Sequence, residues 1–266
     1  MFNIFKAKPL LTDEDAKWIF NTFDWALAHF DSEEFFQRTQ LIEPSDKFFP
    51  GNVDSHQAVA NTVFGATLKY TGLSHWPMQL VHPAAFASLP PAFLNLDFSA
   101  GVKRNSADST LLPFHSEHPL TITYNLNQTL KPEDLSASFA HYIAQHLVAQ
   151  TQITPLGGKQ LFAPATEILA VFMGFGILMS NSAYTFRGGC GSCYNAAANR
   201  HACLSEDKMV FALALFCRLK GINPDIASKH LKKYLRSSLK RALQQIDDAK
   251  EQISPLMARP ELISID

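Results

Sequence analysis

The run Ile168-Leu169-Ala170-Val171-Phe172-Met173-Gly174-Phe175-Gly176-Ile177-Leu178-Met179 is apolar on every face of a helix. A chain folding around it must therefore bury it on all sides. It is shorter than a bilayer crossing requires, and its two glycines point to close packing against other helices. The residues before it supply partners in a definite order. Leu120-Thr121-Ile122-Thr123-Tyr124 alternates apolar and polar side chains, the period of a strand with one buried face. Pro132, Glu133 and Asp134 then open a helix whose apolar residues recur at helical spacing from Leu135 to Val148. Pro155, Gly157 and Gly158 are expected to break that helix, and Glu167 to open the buried one.

The flanking segments read as packing material. Thr12 caps a helix with Asp13, Glu14 and Asp15 in its first turn, followed by Trp18, Ile19, Phe23, Trp25, Leu27 and Phe30. A short helix from Asp31 and an amphipathic one from His56 to Tyr70, ended by Gly72, come next. Met78–Val81, Val102–Lys103 and Leu111–Phe114 are the further strand candidates, with a turn over Asn105–Ser109. Ser205 caps a largely buried helix through Val210–Phe216, with Cys217 as a buried thiol on its apolar face. Gly221 ends it. Asn223 and Pro224 cap a last long helix reaching Ile246, and Pro255 and Pro260 lie in a tail. With 266 residues, 47% hydrophobic and 18% charged, the expectation is a helical packing part over 1–82 and a core over 83–266 in one compact unit.

The order of strand, His141 helix and Glu167 helix resembles zincin-type metallopeptidases, in which an edge strand precedes a His-Glu-x-x-His helix and a later helix gives an acidic third ligand. The stretch Glu167–Gly176, with Asn181-Ser182-Ala183 after it, is similar to the second helix of small bacterial proteins of unknown role that carry such a motif. The resemblance implies an α+β fold, mostly helical, with a zincin-like core, a small mixed sheet and buried central helices. It sets His141 on the motif's first histidine, Tyr142 on its catalytic glutamate, Gln145 on its second histidine and Glu167 on the acidic ligand.

The motif is degenerate. Tyrosine does not accept a proton from zinc-bound water at neutral pH as a carboxylate does, and a glutamine amide is a poor zinc ligand. His146 lies about 140° round the helix from His141, so the two converge only across a distortion such as a π-bulge. The expectation is a pseudoenzyme: a non-hydrolytic binding or scaffolding protein that holds an extended peptide or protein partner by strand addition in the cleft beside the His141 helix. The alternative is a zinc-dependent hydrolase using His141, a displaced His146 and Glu167.

Cys190 and Cys193 form a Cys-x-x-Cys knuckle among glycines, and His201 and Cys203 follow. A structural zinc on these four residues would make a zinc-stapled interaction module; a reduced loop or a labile disulfide is the other reading. His115, Glu117 and His118 precede Pro119 and are read as an extended loop rather than a chelate. Lys229, His230, Lys232, Lys233, Arg236, Lys240 and Arg241 give the last helix a basic face, read as solvated, and the formal net charge of −1 argues against a nucleic-acid partner. Met1–Lys6 is too short for a secretory signal, so a cytoplasmic protein without a membrane partner is expected.

Overall fold

The structure, a computed structural model, describes residues 8–51, 53–87, 102–105, 119–183 and 202–263. It is mostly helical, with one two-stranded parallel sheet among the described residues. In chain order the helices are α1 (Asp13–His29), α2 (Ser32–Gln37), α3 (His56–Tyr70), α4 (Pro132–Thr151), α5 (Phe162–Ala170), α6 (Gly176–Ser182), α7 (Glu206–Leu219), α8 (Pro224–His230), α9 (Arg236–Asp248) and α10 (Lys250–Ile263). The strands are β1 (Met78–Leu80) and β2 (Leu120–Ile122), in register Met78 with Leu120, Gln79 with Thr121 and Leu80 with Ile122. α4 packs on α3, α5 and α6, α7 on α6 and α9, and α1 on α5, α7 and α10. A continuous apolar core runs from Leu10 to Leu256, with Phe35 stacked on Phe172 at 4.4 Å between ring centres.

Local chemistry explains most of the boundaries. Thr12, Asp31, Ser55 and Ser205 each accept a backbone N–H in the first turn of the helix they precede. Helix α5 starts at Phe162, five residues before Glu167, because Pro164 stands in a first turn where no N–H is needed. Glu167 therefore sits inside the helix rather than opening it. The buried helix is also broken: residues 171–175 form a π turn in which Gly174 has φ +102°, and α6 continues from Gly176. The loop at Gln40–Ile42 crosses at the break, and Ile42 donates its N–H to the Gly174 carbonyl at 2.9 Å. A Cβ on Gly174 would stand 2.1 Å from the Gln40 carbonyl oxygen. At Gly176 a Cβ would stand 2.8 Å from Leu213, so this glycine lets α7 approach.

Three expectations are corrected. The last helix is split into α8 and α9, because Leu231 turns extended and buries its side chain. Asn181 stabilises that break, donating to the His230 carbonyl and accepting the Lys232 N–H, each at 2.9 Å. Pro255 and Pro260 lie in α10 rather than in a tail, since burial of Ile253 and Leu256 holds the helix across the lost hydrogen bonds. Among the described residues Val102–Lys103 pairs with no strand; the segment is held instead by Arg104, which is buried. Leu111–Phe114, His115, Glu117 and His118 lie outside the described residues.

The stretch Lys159–Ser182 is long and apolar enough to cross a bilayer by composition, and 78% of its most apolar window is buried inside the protein. Its neighbours are the helices just described, as expected of a core element.

Candidate functional site

Helix α4 turns its two histidines to different elements. His141 is buried, and its Nε2 lies 3.0 Å from Thr166 Oγ1 in α5. The Thr166 hydroxyl also donates to the Ala163 carbonyl at 2.9 Å. Gln145 reaches the same nitrogen at 3.4 Å, a weak contact. The Tyr142 ring lies nearly parallel to His141, 6.3 Å between centres, and is partly buried against the core.

His146 faces the sheet. Leu120 donates to Pro77 and Val81 to Ile122, each at 2.8 Å, so the parallel ladder leaves the Thr121 backbone pointing away from β1. The His146 ring lies close to that backbone. Burial pushes its imidazole below the usual histidine value, and the Thr121 backbone only partly offsets this. The divergence follows from five residues of helix, about 140° of rotation.

Glu167 is fully buried and acts as an acceptor for the chain entering α7. Its Oε2 takes the N–H groups of Leu204 at 2.9 Å and Cys203 at 3.3 Å. Two backbone donors thus satisfy one oxygen of a side chain that has no access to water. The structure thus brings His141 beside Thr166, the neighbour of Glu167, and places His146 elsewhere. Among the described residues no three His, Cys, Asp or Glu side chains are grouped as a metal site. Cys190, Cys193 and His201 lie outside the described residues, and Cys203 is exposed.

The partners of the two histidines were the signal missed in sequence. Thr121 is legible only as an alternating strand position, and Thr166 only as the residue before Glu167. A second buried polar group also escaped notice. Arg104 donates its backbone N–H to Asp31 at 2.7 Å and its guanidinium to the Phe30 and Thr71 carbonyls and the Thr39 hydroxyl. Burial lowers its pKa to about 10 despite Glu34 and Asp31. A groove of about 710 Å³ opens between α1, α9 and α10, lined by residues such as Phe20, Arg241 and Gln252, and none of the motif residues lines it.

Comparison of the chain with protein-family models, curated proteins and solved structures finds no match.

Proposed function

We propose that this chain is a catalytically degenerate, zincin-like protein that acts by binding or scaffolding, without hydrolysis, from the cytoplasm. One observation carries the reading: the residues at the motif positions are committed to internal contacts. His141 meets Thr166, His146 lies against the Thr121 backbone, and Glu167 holds the N–H groups of Cys203 and Leu204. A hydrolase needs the same atoms open to metal and water.

The partner is an extended peptide segment laid against β2, whose outward backbone at Thr121 is its point of attachment. His146 competes for that point. In fluorescence-anisotropy titrations of extended peptide pools, His146→Ala binds more tightly than the unchanged protein. Purified protein leaves casein intact with and without chelator. Cleavage that is abolished by Glu167→Gln, together with zinc lost on changing His141, would overturn the reading.

A further inference from the structure

Residues 226–241 hold six of the chain's 23 Lys and Arg side chains and none of its 24 acids, so a near-neutral chain concentrates positive charge in one stretch. The arginines in this stretch are already engaged. Arg236 donates to the carbonyls of Leu231 and Lys229, and Arg241 to those of Lys8 and Pro9. The four lysines are not: Lys229, Lys232, Lys233 and Lys240 are exposed, and among the described residues none has a carboxylate within 4 Å. The contact from Arg236 to Lys229 brings the end of α8 against the start of α9, and Lys240 follows one turn later. Tyr234 lies among them with 55% of its surface exposed, its hydroxyl anchored by Glu206 so that the ring is held in place.

We propose that this lysine stripe binds the backbone of single-stranded nucleic acid, with Tyr234 as a stacking platform for a base. The four ammonium groups supply the sequence-independent charge term, and a fixed exposed aromatic ring is what an unpaired base stacks on. The flanks of the stripe decide between a strand and a flat anionic membrane. Glu206 and Asp207 border it through Tyr234 and Ser238, and Glu43 borders it through its ion pair with His230 at 2.9 Å. Glu133 stands near Lys232 and His230. A narrow polymer follows the lysines between these carboxylates, whereas a planar anionic surface meets the carboxylates as well. The stripe uses none of the residues at the motif positions, so it stands or falls apart from the scaffold reading.

The test is fluorescence anisotropy with a labelled 20-nucleotide oligo-dT. Four phosphate contacts on a single strand give a log–log salt slope of about −3, so affinity falls roughly 50-fold between 50 and 200 mM salt. The variant K229Q/K232Q/K233Q/K240Q retains its melting temperature and loses tenfold or more in affinity, with a slope near zero. Tyr234→Ala weakens binding about fivefold or more at unchanged slope. A control of equal charge, K17Q/K69Q/K131Q/K159Q, carries its changes at exposed lysines elsewhere and binds as the parent does. Three results overturn the proposal: no binding at 50 mM salt, equal loss in both quadruple variants, or binding to phosphatidylserine vesicles without binding to the oligonucleotide.

Discussion

Replacing Gly174 with alanine is expected to destabilise the protein by about 3–5 kcal/mol, and the sum can be worked from the break in the core helix. A φ of +102° costs a residue with a Cβ about 1–3 kcal/mol. The new Cβ would stand 2.1 Å from the Gln40 carbonyl oxygen, a backbone atom that no rotamer change can remove. The Gln40–Ile42 loop must then lift, losing the Ile42 to Gly174 hydrogen bond, about 1 kcal/mol. Part of the burial of Leu41 and Ile42, about 1.5–3 kcal/mol for each when complete, is lost with it. Against this, alanine restricts the unfolded chain and returns about 0.4–1 kcal/mol. Gly221→Ala is the control: its φ is +61° and no atom lies within 4 Å of the added Cβ, so only the backbone term of about 1 kcal/mol applies. Urea unfolding followed by circular dichroism reads both. With a slope near 3 kcal/mol per molar, the Gly174 variant shifts its midpoint down by about 1–1.7 M. Equal shifts in the two variants would refute the crossing of loop and helix as the source of the constraint.

Arg104→Met removes the donors to the buried Phe30 and Thr71 carbonyls and the Thr39 hydroxyl, at a cost of about 1–3 kcal/mol by the same urea assay. Stability should fall on acidification from pH 7 to pH 5. Burial depresses the histidine pKa at His146, His75 and His29, so the unfolded chain takes up protons near pH 6.5 while the folded one resists. His146, the most buried of the three, contributes at most about 1.4 kcal/mol per pH unit below that value, the better-solvated His75 and His29 contribute less, and His146→Phe should flatten the slope. Cys217 is buried with its thiol pushed up to about 12, so a disulfide reagent at pH 8 should label exposed Cys203 and reach Cys217 only on unfolding. Gln245→Ala should loosen the segment before α1, because its amide accepts from Leu10 and Leu11 and donates to the Leu11 carbonyl; increased protease cutting near Leu10 reads this out.

Sequence periodicity located the helices and both described strands well, because caps and apolar spacing are local properties. Thr12, Ser205 and Pro132 mark helix starts that the structure keeps. What escaped depends on contacts far along the chain. The split between α8 and α9 is held by Asn181, some fifty residues earlier, and no local pattern near Leu231 announces it. Pro255 reads as a breaker until Ile253 and Leu256 are seen packed into the core. At the motif positions, sequence correctly separated His141 from His146 by helix geometry alone. It could not show that His141 meets the Thr166 hydroxyl, since threonine before Glu167 is also ordinary for a helix turn.

Glu167 also bears on the order in which the chain can mature. Two of the groups that make its carboxylate tolerable in the interior belong to Cys203 and Leu204, translated more than thirty residues after it. While the apolar segment emerges from a ribosome, those two donors do not yet exist. Closure of the centre is therefore coupled to the docking of α7, since the acceptor sits in the core helix and two of its donors stand at the entry to α7.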